Sequence, residues 1–186
     1  MKIDKIIKNI LIAINCRDKD EKASPINKLV PIFMKNVILL DLDGVLITTP
    51  SWKPDKFHLD GYSDFNETSI QNFNKLLENI NAELWLTSSR RTGKTLNEFK
   101  EIFRNRNIVN ELKGFIPSGT GGVDRLTEIN AFLDHEPIRN FLIIDDDNSL
   151  QGLDTTRKQF WVKTNPLMGF DEEKLLDAID KIKNWY

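Results

Sequence analysis

The stretch VILLDLDGVLITTP, residues 37–50, constrains the fold more than any other part of the chain. It begins as an aliphatic run of strand length and ends on two carboxylates, Asp41 and Asp43, which Gly44 follows. An apolar run of this kind is typical of a strand that is covered on both faces, as in a parallel sheet. Two acidic residues at the end of a buried strand indicate a functional crevice there.

Strand and helix patterns alternate along the rest of the main domain. We predict strands at 36–42, 82–87, 112–117, 140–145 and 159–164, and helices at 68–80, 94–103, 123–133 and 171–182. Residues 44–66 hold prolines and aromatics without clear periodicity, which predicts an ordered loop or small hairpin. The alternation predicts an α/β fold, a three-layer sandwich around a doubly wound parallel sheet. Ligands of such sheets bind beyond the carboxyl ends of the strands.

The N-terminal segment differs from the remainder in charge. Residues 1–35 hold eight Lys or Arg against four Asp or Glu, whereas the whole chain has a net charge of −2. Apolar residues at helical spacing over 3–15 predict an amphipathic helix rather than a signal peptide. We therefore predict an N-terminal helical extension at 1–35 and a main domain at 36–186. A lone cysteine, Cys16, and the lack of any apolar run of roughly 18 residues predict a cytoplasmic protein without a membrane partner.

Polar residues follow three of the predicted strands. Asp41 and Asp43 follow the first, Thr87 and Ser88 the second, and three aspartates at 145–147 follow the strand at 140–145. Carboxylates gathered in one crevice repel one another unless a cation neutralises them, and Mg²⁺ prefers oxygen ligands. A carboxylate beside such a metal can act as a nucleophile, and a second one nearby can transfer protons.

These motifs, in this order, resemble those of phosphohydrolases of the haloacid dehalogenase (HAD) superfamily, over about residues 36–183. The first family motif stands here as Asp41-Leu-Asp43-Gly44-Val45, the second as Thr87, and the fourth as Asp145-Asp146. The third is commonly a lysine three residues before a Glu-Ile pair, and Arg125 occupies that place. The chain is similar to small phage and bacterial members, including the domain fused in predicted RNA-repair proteins.

The resemblance implies a role for each matching residue. Asp41 is the implied nucleophile, Asp43 the implied general acid and base, and Thr87 and Arg125 complete the catalytic set. Implied ligands of Mg²⁺ are Asp41, Asp43 through its backbone carbonyl, Asp146 and Asp145, with Asp147 as a substitute if the strand ends one residue later. Residues predicted to bind substrate are Ser88, Arg90 and Gly44. For Arg90 and its neighbour Arg91, contact with the substrate phosphate and surface solvation are equal alternatives.

Other interpretations of the same segments are weaker. Counted from Asp41, a calcium loop would need glycine at its sixth position and glutamate at its twelfth, where Leu46 and Trp52 stand. A phosphate-binding loop ending at Gly93 would need glycine at Ser88. The aromatics of residues 44–66 are expected to form a packed flap, with a base-stacking platform as the alternative.

We expect a Mg²⁺-dependent phosphatase that acts on a phosphomonoester through an aspartyl-phosphate intermediate. Only about forty residues separate the first two motifs, so we expect no large cap. Capless members of the superfamily tend to act on large substrates, and candidate partners are a nucleic-acid end, a phosphoprotein, or a small phosphate in a site covered by an oligomer. The alternatives are a nucleotide or sugar-phosphate phosphatase and a non-catalytic binding or regulatory module.

Overall fold

The computed structural model describes residues 34–50, 52–118 and 123–185. The amphipathic helix predicted at 3–15 lies outside these ranges, so the N-terminal extension and the boundary after residue 35 stay predictions. None of the helices in the described ranges combines the length and the apolar character that crossing a membrane requires.

One sheet of parallel strands forms the centre of the main domain. Its strands are β1 (Lys35–Leu40), β2 (Glu83–Leu86), β3 (Leu112–Phe115), β4 (Ile138–Asp145) and β5 (Trp161–Lys163). Their order across the sheet is β3-β2-β1-β4-β5, so β1 is central and pairs with both β2 and β4. The chain order reverses at β1, which is the topological switch point where parallel sheets open a crevice for ligands.

Helices cover both faces of this sheet. They are α1 (Glu67–Glu78), α2 (Leu96–Asn105), α3 (Arg125–His135), the single turn α4 (Thr155–Lys158) and α5 (Glu172–Ile182). Short 3₁₀ turns lie at Ser89–Arg91 and Asn148–Gly152. The helices and strands predicted within the described residues are confirmed, and their observed ends differ from the predicted ones by at most two residues. The single turn α4 and the 3₁₀ turns were not predicted.

Alternate residues of β1 face different helices, as strand geometry requires. Ile38 and Leu40 belong to a core that includes residues of α1, α2 and α5, whereas Val37 and Leu39 belong to a second core with residues of α3. The four are fully buried. The predicted α/β three-layer architecture with a doubly wound sheet is therefore confirmed.

Within the segment between β1 and α1, residues 52–65 form a small flap. Its Tyr62 and Phe65 pack on α2, whereas Trp52 and Phe57 are exposed. An antiparallel bridge between Phe57 and Ser63 gives the flap the form of a hairpin. Phe65 is buried, and its ring lies edge-on to that of Phe103 on α2, with centroids 6.0 Å apart. No inserted domain interrupts the described residues between β1 and β2, in agreement with the predicted lack of a large cap.

Arg106 fastens the flap to the end of α2. Its guanidinium donates to both carboxylate oxygens of Asp60 at 2.7 and 3.1 Å and to the carbonyl of Ser63 at 2.9 Å. The same group lies 4.7 Å from the ring centroid of Phe65. A planar cation with five donors can satisfy several acceptors at once, so one buried side chain holds three points of the flap.

Candidate active site

The register of the central strands brings the polar strand ends to one level. Leu40 is paired with Leu86 on β2 and with Ile144 on β4. The next residue on each strand is therefore Asp41, Thr87 and Asp145. Backbone hydrogen bonds between the strands continue at this level. The amide of Asp41 donates to the carbonyl of Ile144 at 3.0 Å, and that of Thr87 donates to the carbonyl of Leu40 at 2.8 Å.

The turn after β1 directs both of its aspartates towards the crevice. Leu42, between them, is fully buried in the core. Its carbonyl accepts from the amides of Val45, Leu46 and Ile47, which makes a tight turn immediately after the strand. Gly44 has a φ of +67°, and a Cβ built there would lie 2.3 Å from Oδ2 of Asp146. Glycine is required here by both the left-handed backbone and the close approach.

Arg125 joins the three strand ends. It is the first residue of α3, which begins there because Asp124 Oδ1 accepts from the amide of Thr127 at 2.8 Å. Its Nη1 donates to Thr87 Oγ1 at 2.8 Å and to Asp145 Oδ2 at 2.8 Å, and lies 3.3 Å from Asp41 Oδ1. All three contacts are made by one nitrogen, so Arg125 acts at this point much as a compact ammonium group would.

Three carboxylates form a cluster that could hold a metal ion. One oxygen from each of Asp41, Asp145 and Asp146 lies within 4.8 Å of the others. Asp147, which the sequence left open as a substitute, instead caps the following 3₁₀ turn by accepting from the amide of Ser149 at 2.7 Å. The structure thus brings together three of the four predicted metal ligands by their side chains and leaves Asp147 outside.

Asp43 lies outside the cluster and is paired with Arg90. Nε of Arg90 lies 2.8 Å from both carboxylate oxygens, and Nη2 lies 2.7 Å from Oδ1. Nη1 of the same arginine donates to Asp55 Oδ2 at 2.8 Å and to Ser63 Oγ at 2.6 Å. Arg90 therefore links Asp43 to the flap, a connection through Asp55 and Ser63 that the sequence analysis did not anticipate.

The family comparison agrees with this geometry. Residues 37–175 match the family described as the HAD domain in Swiss Army Knife RNA repair proteins, which is well over half of the chain. The chain belongs to this family. No curated protein matches the chain closely enough to be reported as a relative. Membership in the HAD superfamily indicates a hydrolase of the phosphatase type.

Burial dominates the electrostatics of the HAD site. It raises the pKa of Asp41, against the opposing effect of the Arg125 guanidinium. Burial, and next the charge of Asp41, also raise the pKa of Asp145 well above its usual range and that of Asp146 to about 6. One arginine does not compensate three carboxylates, two of which are almost fully buried, so a further positive charge would be strongly stabilising there.

The donor set fits Mg²⁺. It consists of carboxylate oxygens alone, which hard divalent cations prefer. Asp41, Asp145 and Asp146 would hold the ion, and the close packing of Gly44 against Asp146 keeps the third carboxylate in place. The Asp cluster is therefore compatible with the magnesium use that is typical of the HAD family.

Ser88 and Arg91 shape the loop after β2. Ser88 is fully buried, and its hydroxyl is hydrogen-bonded to Asp41, which lowers the pKa of that carboxyl in opposition to burial. Arg91 is also buried; it donates to the carbonyls of Thr87 and Ser88 and to Glu128 Oε2 on α3 at 2.8 Å. The structure buries Arg91, so the alternative of surface solvation is wrong for this residue.

An open cleft of about 570 Å³ leads to the site. Asp43, Gly44 and Asp146 lie on its lining together with Arg90, and the rest of the lining comes from the start of the flap and from the segment at 166–167. Asp43 and Asp146 are thus accessible to a substrate that approaches from the strand ends, whereas Asp41 is only 5% exposed and Asp145 is fully buried.

Proposed function

We propose that this HAD domain is a Mg²⁺-dependent phosphatase that forms an aspartyl-phosphate on Asp41. The observation that carries the proposal is the strand register, which places Asp41, Thr87 and Asp145 at one level with Arg125 in contact with all three. Bound Mg²⁺ would supply charge stabilisation for the phosphoryl oxygens.

In the first step, a carboxylate oxygen of Asp41 attacks the phosphorus, and the bond between phosphorus and the ester oxygen breaks. The leaving oxygen takes a proton from the carboxyl group of Asp43. In the second step, Asp43 accepts a proton from water as the water oxygen attacks the phosphorus. The bond from phosphorus to Asp41 then breaks, and inorganic phosphate leaves.

The remaining site residues orient these groups. The Thr87 hydroxyl accepts from Arg125 and so has its own proton free for a phosphoryl oxygen. The buried Ser88 hydroxyl holds Asp41 from the side of β2. Arg90 holds both oxygens of Asp43, and we propose that it shares its donors with the substrate when Asp43 turns to the leaving group.

The substrate we propose is a phosphorylated nucleic-acid end. The cleft is open and no cap encloses it within the described residues, which suits a large substrate. The family is described by its occurrence in RNA repair proteins, and the repair of a broken strand requires processing of its ends. A phosphoprotein is the competing large substrate.

The test is phosphate release with Mg²⁺ from a small aryl phosphate, sugar phosphates, mononucleotides, phosphopeptides and end-phosphorylated oligonucleotides. Asp41→Asn should abolish turnover while the fold survives, and Asp180→Asn, on the exposed side of α5, should behave as wild type. Turnover at wild-type level in Asp41→Asn would refute the mechanism. Equal or better activity on sugar phosphates would refute the proposed substrate.

A further inference from the structure

Many of the exposed apolar side chains lie on two segments that border the active-site cleft. Among the described residues, ten large hydrophobic side chains are exposed, and half of them lie on the flap and the turn at 165–169: Trp52, Phe57, Leu59, Leu167 and Met168. Trp52, 74% exposed, and Leu167, 52% exposed, line the same cleft as Asp43 and Asp146. We call Trp52 and Leu167 the apolar rim.

The flap side of the apolar rim is held by the surrounding structure. Pairing of Arg90 with Asp55 and of Arg106 with Asp60 fixes the flap at two points. Trp52 is therefore carried on an anchored segment, and an aromatic ring presented in this way loses little conformational entropy when it binds a ligand.

The turn that carries Leu167 is fixed as well. The side chain of Asn165 accepts from the amide of Leu167 at 2.9 Å, and its carbonyl accepts from Gly169 at 2.8 Å. Gly169 has a φ of +70°, and a Cβ built there would lie 2.6 Å from the carbonyl oxygen of Val45. The segments that carry both parts of the apolar rim are thus held by ion pairs or hydrogen bonds, although neither rim side chain belongs to the core.

A second cleft, of about 360 Å³, continues from the first. The two share Thr49, Pro50 and Lys53, and the second also contains Lys56. Lys53 lines both clefts, and Lys56 and Asp64 line the second, so two lysines and one carboxylate border the path away from Asp43 and Asp146. The clefts together offer carboxylates that could hold a metal, an apolar surface and two lysines, a set that suits the phosphate, base and phosphate of a nucleic-acid strand.

We propose that Trp52 is a stacking platform for the base of the terminal nucleotide, with Leu167 bordering the same site, and that Lys53 and Lys56 bind the next phosphate. This rests on the proposed phosphatase function and specifies its substrate as a single strand of at least two nucleotides with a terminal phosphomonoester. Stacking of a base on an aromatic side chain changes affinity by roughly 5- to 150-fold. For a single strand, each phosphate that the protein neutralises adds about 0.7 to the magnitude of the negative slope of log binding constant against log salt concentration.

The deciding experiment uses two end-phosphorylated oligonucleotides that differ only in whether the terminal nucleotide carries its base. Wild type should favour the complete end by about tenfold in kcat/KM, and Trp52→Ala should process both at the rate of the abasic end. Phe57→Ala is the matched control, because Phe57 is an exposed flap aromatic that does not line the cleft; it should keep the wild-type preference. A preference for the base that survives in Trp52→Ala would overturn the proposal.

Lys53→Ala/Lys56→Ala tests the binding of the second phosphate. The double variant should weaken binding of the oligonucleotide more than binding of a mononucleotide, which has no second phosphate, and should reduce the salt dependence of oligonucleotide binding. An equal loss on both substrates would contradict a second phosphate site.

Binding measurements separate this proposal from the phosphatase mechanism. With Asp41→Asn, the oligonucleotide that keeps its terminal base should quench tryptophan fluorescence more than the oligonucleotide with an abasic end. In Asp41→Asn/Trp52→Phe, the two oligonucleotides should quench equally. These outcomes support the stacking platform even if no substrate is hydrolysed, whereas equal quenching by both ends in Asp41→Asn counts against it. If phosphopeptides are turned over faster than oligonucleotides, and Trp52→Ala slows both reactions equally, the apolar rim belongs to a protein substrate and the nucleic-acid proposal is overturned.

Discussion

The packing of Gly44 against Asp146 provides the sharpest test of the metal site. In Gly44→Ala, the new Cβ would lie 2.3 Å from Oδ2, 2.4 Å from Cγ and 2.9 Å from Cβ of Asp146. Distances this short cannot be relieved by moving the end of the carboxylate alone, so the whole Asp146 side chain must rotate out of the cluster. The variant should therefore fold and yet lose one of three carboxylates that would hold Mg²⁺.

Two penalties are expected in Gly44→Ala, and they can be measured separately. The left-handed backbone at +67° should lower the free energy of unfolding by roughly 1–2 kcal/mol when metal is removed by a chelator. Removing a group that only orients a metal ligand commonly lowers metal affinity about 10- to 100-fold, so loss of a ligand itself should cost about 100-fold or more. That corresponds to about 2.7 kcal/mol of metal-dependent stabilisation.

Gly93→Ala is the matched control for the backbone penalty. Gly93 has a φ of +78°, and a Cβ there meets nothing within 4 Å. Denaturant unfolding with a chelator should give similar losses for the two variants, and Mg²⁺ titration by calorimetry should weaken only for Gly44→Ala. If Gly44→Ala binds Mg²⁺ within about threefold of Gly93→Ala, the reasoning about Asp146 is wrong.

Three further predictions concern charged groups. Arg125→Lys should keep turnover within about tenfold, because one nitrogen of Arg125 makes all three contacts. Arg125→Met should abolish turnover, and urea unfolding should show that it destabilises the fold by about 3–5 kcal/mol. Calorimetry should show Mg²⁺ affinity falling progressively as the pH drops towards and through about 6, because burial raises the pKa of both Asp145 and Asp146 and the ion must displace their protons. The Arg106 guanidinium holds the pKa of Asp60 well below its usual 3.8, so this pair contributes stability above that pH and loses it as the pH falls. Asp60→Asn should thus lower the unfolding free energy by about 1–3 kcal/mol at neutral pH and by progressively less in acid, and a pH-independent loss would contradict this.

The sequence alone predicted the elements that depend on local chemistry. The buried aliphatic strand before Asp41, the strand before Asp145 and the amphipathic helices follow from periodicities that each segment carries by itself. Asp41, Thr87 and Asp145 could be expected to meet because parallel strands end at the same edge of a sheet. Arg125 could be assigned by its distance from Glu128-Ile129, although only the structure shows that one nitrogen makes its three contacts.

Contacts between distant segments were decided only by the tertiary structure. The pairing of Arg90 with Asp43 and Asp55 and the common cleft of Trp52 and Leu167 join residues far apart in the chain, and no local pattern encodes them. The three adjacent aspartates look alike in sequence, yet Asp145 and Asp146 enter the cluster and Asp147 caps a turn. The physical reason is that local propensity sets where strands and turns form, whereas burial, register and close packing select which side chains face one another.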